Sequence, residues 1–176
     1  PTYLERARGF SSTQLALLAG LPLILSSVAD VVGGLTTDSL TRSRGLRMGR
    51  CLIGGASLLV AGVCLIAGAA ADHALLAALL IAVAGAADSF LLGAAWGTCI
   101  DIAGPHAGLV AGAMNTAGQL GAFLSPIVLP YFLKGETGDW AAPLYLAGAL
   151  YLAGALCWLF IDPARPVRDA LAEEPL

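Results

Sequence analysis

Two carboxylates stand inside long apolar runs of this chain: Asp30, after Ser26 and Ser27, and Asp88, beside Ser89. A charge held at that depth in hydrocarbon is costly and needs a partner or a water-filled cavity. Desolvation favours the protonated carboxyl, so each group could carry a proton or hold a cation. Each could equally remain neutral in a hydrogen bond to a neighbouring helix, or pair with an arginine from elsewhere in the protein. A second set is amide and aromatic. Asn115 and Gln119 stand four apart, hence on one helical face. There they could donate to a carboxylate or hydroxyl of a small ligand, or bond two packed helices together. Trp96 and Tyr151 could supply aromatic walls, or could equally face lipid or pack between helices. The third set follows an apolar run from Gly34: Asp38, then Arg42 and Arg44, then Gly45. An aspartate at a helix end beside guanidiniums forms charge-assisted hydrogen bonds that could latch two elements together. It could also be a solvated cluster that does no more than set membrane topology.

The elements that must position these groups are membrane helices. Hydrophobic residues make up 58% of the chain, charged residues only 12%, and the mean hydropathy is +0.83, which places it outside the range of soluble domains. Apolar runs of membrane-crossing length fall at 13–36, 48–71, 74–101, 107–133 and 141–161. They are apolar on all sides rather than at alternate positions, which argues against a barrel and for helices that satisfy their own backbones. The fold class is therefore all-α, a polytopic membrane bundle of five helices. Residues 162–176 form a tail. Small residues at four-residue spacing, Gly104 with Gly108 and Gly112, and Ala117 with Gly121 and Ser125, offer lines for close helix approach.

Arg42, Arg44, Arg47, Arg50, Arg165 and Arg168 fall on one side of this topology, and Arg6, Arg8 and Lys134 on the other. The richer side is expected in the cytoplasm, with the amino-terminal end of the chain outside and the carboxy terminus inside. Trp140, Tyr145 and Trp158 suit the interfacial belts. Pro22, Pro126 and Pro130 interrupt their spans. Cys51, Cys64, Cys99 and Cys157 lack CxxC spacing and nearby histidines, so neither a metal site nor a disulfide framework is expected. There is no basic stripe for nucleic acid and no phosphate-binding G-x-x-x-x-G-K-[ST] loop. No cofactor is implied.

The segment from Gly34 to Gly45 resembles the G-x-x-x-D signature with spaced arginines found in cytoplasmic loops of the major facilitator superfamily. Other stretches narrow the resemblance. Pro1 to Leu4 with Arg8 to Ser11, Trp96 to Asp101 (WGTCID), Gly112 to Gly118 with Gly121, Ser125 and Pro126, and Ile161 to Pro166 are similar, in order, to anion:cation symporters. That branch includes hexuronate, glucarate and phthalate transporters. The resemblance implies a twelve-helix transporter in two halves, with these spans as its last five. It implies an inner-membrane protein whose partners are the lipid bilayer, a small organic anion and a coupling proton or sodium ion. The amino-terminal half of the same polypeptide would precede Pro1. The Asp38 cluster, with Gly34, Arg42 and Arg44, would be the gating loop, and no catalytic residue is implied.

Two other function classes compete. An intramembrane hydrolase would use Asp30 and Asp88 as a carboxyl pair. Their settings, Ala29-Asp30-Val31 and Ala87-Asp88-Ser89, lack the Y-D and G-x-G-D contexts of intramembrane aspartyl proteases. A non-transporting helical scaffold or interaction subunit would show this same composition.

Overall fold

A computed structural model describes residues 12–132 and 141–165. Five α-helices account for most of them: α1 Ser12–Arg44, α2 Ile53–Ala70, α3 Ala74–Ala103, α4 Ala107–Phe132 and α5 Ala142–Cys157. A π-helical turn, Met48–Leu52, leads into α2, and a 3-10 turn, Trp158–Phe160, ends α5. No strand occurs among the described residues. The chain is an all-α helix bundle of multi-pass membrane type.

Four continuous helical stretches are long and apolar enough to cross a membrane, and one of them, Ala74–Phe132, runs for 59 residues. At ~1.5 Å per residue that is about 90 Å, close to three hydrocarbon thicknesses. The stretch is folded rather than straight. Gly104, at φ +50°, takes a left-handed conformation that other residues resist, and a 3-10 turn Gly104–His106 follows. Cys99 Sγ then lies 3.5 Å from Met114 Sδ, fifteen residues on, where a straight helix would separate them by about 22 Å. Two helices therefore come from this stretch, α3 and α4.

α1 departs from the expected boundaries. The apolar run ends near residue 36, yet the helix continues to Arg44 and carries Asp38 and Arg42 as helical overhang rather than loop. Its polar end suits a helix. Thr36 Oγ1 donates to Val32 O at 2.7 Å and Ser43 Oγ to Ser39 O at 2.9 Å, so these hydroxyls bond within the helix. Arg42 and Arg44 in the last turn complement the helix dipole. Gly45, at φ +88°, closes it, its N–H bonding to Thr41 O at 3.0 Å.

The helices alternate in direction, so α1, α3 and α5 finish at the end where α2 starts. Cys51 Sγ lies 3.2 Å from Ile161 O, which puts the close of α5 beside the opening turn of α2. Arg42, Arg44, Arg47, Arg50 and Arg165 thus share one end of the bundle. Arg168 lies outside the described residues, as do Arg6, Arg8, Lys134 and Trp140.

Packing relies on small residues. The innermost positions are Ala61, Leu65 and Ala84, with Cys64, Ile81, Ala87, Leu144, Ala147 and Tyr151 against them. α1 crosses α3 where a Cβ on Gly33 would strike the backbone of Phe90 and one on Gly93 would come 2.8 Å from Gly34 Cα. α2 crosses α5 where a Cβ on Gly62 would come 2.9 Å from Gly148 O. In lipid, where burial drives little, such backbone approach supplies the dispersion contact that holds helices together.

The small-residue lines expected on α4 do not make these contacts. A Cβ on Gly108, Gly112 or Gly121 would meet nothing within 4 Å. No residue of α4 is buried, and its closest packing is to α3 near the turn. Gly121 and Ser125 instead face α5 across a cavity of about 350 Å³. Trp158, expected in an interfacial belt, is only 8% exposed, its ring packed on Gly54 of α2.

Candidate functional site

At the arginine-rich end, Arg50 ties three elements together. Its Nε donates to Asp101 Oδ2 of α3 at 2.8 Å, and its Nη1 donates to Asp38 Oδ1 of α1 at 3.4 Å. The short bond is also the more enclosed, since the side chains of Arg50 and Asp101 are 11% and 19% exposed and that of Asp38 is 62% exposed. One guanidinium thus spans two carboxylates through different N–H groups, as its fixed fork allows.

Local structure aims this side chain. The π-helical turn around Arg50 is a wider turn than an α-helix makes, and such turns re-aim side chains at functional positions. Gly97, one turn before Asp101 on α3, leaves the guanidinium its space: a Cβ there would come within 2.6 Å of Nη1 and 2.8 Å of Nε. Gly49 lies flat against Thr41, where a Cβ would sit 2.6 Å from the Thr41 N. Thr37 is fully buried, and neither its hydroxyl nor that of Thr41 has a hydrogen-bond partner among the described residues.

Of the gating residues read from sequence, Asp38 belongs to this cluster. Gly34 sits at the α1–α3 crossing. Arg42 and Arg44 are exposed, and among the described residues neither forms an ion pair with Asp38. The cation that reaches Asp38 comes from the next helix. From sequence, Arg50 is read only for topology and Asp101 only as the last residue of the WGTCID segment. A signal for Asp101 was present in the WGTCID segment, where Gly97 and Asp101 are four apart and so share one face.

Midway along the bundle, Ser26 Oγ of α1 donates to Gly85 O of α3 at 3.3 Å. One turn further along each helix are Asp30 and Asp88, near enough to act on each other electrostatically. Asp88 is half-buried and lies near the Tyr151 hydroxyl of α5, while Asp30 is exposed. The structure therefore brings together two carboxylates that are 58 positions apart in sequence. Tyr151, read from sequence as a candidate aromatic wall, is the residue beside Asp88.

Asn115 and Gln119 are exposed on α4, and Trp96 is exposed on α3. Asn115, Thr116 and Gln119 form an exposed polar strip on a largely apolar α4. Among the described residues no group of three or more His, Cys, Asp or Glu side chains is arranged to hold a metal.

The family model described as Major Facilitator Superfamily matches residues 1–175. The "Probable sulfoacetate transporter" of Cupriavidus necator is 34% identical over 173 residues, covering 95% of this chain and 39% of its own length. The "Probable galactarate/D-glucarate transporter" of Bacillus subtilis is 30% identical over 168 residues, covering 92% of this chain and 35% of its own. The "Ascorbate transporter, chloroplastic" of Arabidopsis thaliana is 30% identical over 171 residues, covering 96% and 31%. The chain thus spans less than two fifths of the length of these relatives.

Proposed function

The chain belongs to the major facilitator superfamily, and from that membership we propose that the complete protein moves a small organic anion across the membrane in symport with a proton or sodium ion. The observation that carries this reading is that relatives aligned along more than nine tenths of the chain are named as transporters of sulfoacetate, glucarate and ascorbate. All three cargoes are compact, oxygen-rich anions. On this reading the five helices are the last five of twelve, and the rest of the cavity comes from the part of the relatives' length that this chain does not span. The protein is then a transporter rather than an enzyme, in the inner membrane with its arginine-rich end in the cytoplasm.

Each cluster takes a role. The Asp38–Arg50–Asp101 cluster is the lock that holds the cytoplasmic ends of α1, α2 and α3 together in one access state. Opening that end stretches first the exposed 3.4 Å bond to Asp38, while the 2.8 Å bond to Asp101 keeps Arg50 on α3. Arg42 and Arg44, free of Asp38, supply positive charge at the cytoplasmic mouth. Asn115, Gln119 and Trp96 line the cavity and donate to the anion. Asp30 and Asp88 carry the coupling ion, with Tyr151 orienting the Asp88 carboxyl.

The test is uptake of sulfoacetate, glucarate and related carboxylates by proteoliposomes holding the full-length protein, with and without an imposed proton or sodium gradient. Gradient-driven accumulation of one of these anions is expected. Uptake that ignores both gradients would remove the symport reading, and no uptake across the panel would leave a non-transporting scaffold.

A further inference from the structure

A cavity at the arginine-rich end lies on the flank of the bundle, away from the charge cluster. It has a volume of about 570 Å³ and runs between the opening of α2 and the close of α5. One wall is Met48, Leu52 and Leu59; the other is Leu152, Leu156 and Leu159, each set at helical spacing. Arg47 is the charged residue that lines it.

We propose that this groove binds one anionic phospholipid, with an acyl chain along the leucine walls and the phosphate on the Arg47 guanidinium. Dimensions support the assignment. From Arg47 to Leu59 is twelve residues, about 18 Å along the helix. One leaflet contributes about half of a ~30 Å hydrocarbon core, so the groove is one leaflet deep with its charge at the surface. Leu52, Leu59, Leu156 and Leu159 are exposed to the surroundings of the bundle, and Leu152 is half-buried between them. Its floor is closed by Trp158, packed on Gly54.

Charge selects the occupant. An apolar groove offers a lipid chain little that bulk hydrocarbon does not, so preference among lipids must come from the polar end. Arg47 is exposed, stands outside the Asp38–Arg50–Asp101 cluster, and makes no ion pair among the described residues. Its planar fork can take two phosphate oxygens at once. A net-negative headgroup leaves that charge uncompensated by an ammonium of its own. One arginine at a membrane surface is worth about a fivefold preference for anionic lipid. This assignment rests on the membrane bundle alone and stands whether or not the protein transports anions.

The experiment is native mass spectrometry of the full-length protein released from micelles containing equimolar phosphatidylglycerol and phosphatidylcholine. Retained lipid is expected to favour phosphatidylglycerol about fivefold, the preference falling to about one in R47Q and to an intermediate value in R47K, which keeps the charge but not the planar fork. G55L places a side chain in the groove from a position where a Cβ sits an ordinary 3.5 Å from Trp158 Cβ, and lowers retention of both lipids. R42Q, off the groove, leaves the preference unchanged. Equal retention of the two lipids by the unaltered protein overturns the proposal. So does a preference that survives R47Q or that R42Q removes as fully, and so does retention indifferent to G55L. Protection of Cys51, which lines the groove, from maleimide after complete delipidation would show that protein fills the space, and would also overturn it.

Discussion

Replacing Arg50 with alanine leaves the Asp101 carboxylate, only 19% exposed, facing the space where its counter-charge had been. Removing one partner of a largely buried ion pair costs about 3–5 kcal/mol, because the remaining charge is neither solvated nor paired. Asp101→Asn is milder. It exchanges a 2.8 Å charge-assisted bond for a neutral one while Arg50 keeps Asp38 within 3.4 Å, a loss of about 1.5–3 kcal/mol. Asp38→Asn is milder still, because a pair with a side chain 62% exposed is screened by water and contributes at most about 1 kcal/mol. Thermal unfolding in detergent micelles, followed by helical circular dichroism, should rank the variants R50A, D101N, D38N from least to most stable. The double variant D38N/D101N should cost more than the sum of its parts, since both carboxylates draw on one guanidinium. A D38N loss equal to that of R50A, or a silent D101N, would refute the assignment of Asp101 as the enclosed anchor of the cluster.

Other substitutions probe packing and the polar strip. Gly97→Ala puts a methyl group against the Arg50 guanidinium and should cost about 1–3 kcal/mol in the same melt, the cost disappearing in an R50A background. Gly148→Ala, whose Cβ would lie 2.6 Å from Ile66 Cγ1, should destabilise by a similar amount. Gly112→Ala meets nothing within 4 Å, so in the described helices it should be neutral or stabilise α4 by up to about 1 kcal/mol; a large loss would show a neighbour pressed against that face. Asn115→Ala and Gln119→Ala should leave the melt unchanged, and each should reduce anion uptake about tenfold or more through loss of a hydrogen bond to charge. Asp88→Asn should preserve exchange of anion across the membrane while abolishing its gradient-driven accumulation.

Hydropathy made the helices legible because lipid demands long apolar runs whatever the packing: α3 and α4 end within two residues of the expected bounds, and α2 and α5 do so once their adjoining π-helical and 3-10 turns are counted. The first was cut eight residues short at its far end, since Thr37 to Arg44 are polar enough to read as a loop. Tertiary contacts from the next element hold that segment in the helix: Gly49 packs on Thr41, and Arg50 bonds to Asp38. The charge cluster was only half legible. Spacing along one helix reports which residues share a face, so Asp38 was read with its helical neighbours Arg42 and Arg44. Which residue lies across from it depends on how α1, α2 and α3 cross, and on a π-helical turn that no periodicity signals. The Asp30–Asp88 pair was legible as two costly residues but not as neighbours, because their proximity comes from the Gly33–Phe90 and Gly34–Gly93 crossing. The lines of small residues on α4 fit a packing face that the described residues do not fill.

Counterflow tests the transport reading most directly, because it requires a carrier that alternates between two sides and needs no assumption about the coupling ion. Proteoliposomes holding the full-length protein are preloaded with unlabelled sulfoacetate or glucarate and diluted into a trace of the same labelled anion, with no ion gradient. The predicted result is transient accumulation of label well above protein-free vesicles for at least one of these anions, followed by decay as the preload is lost. Label that never exceeds the protein-free control for any small carboxylate or sulfonate would contradict an organic-anion carrier built on these helices.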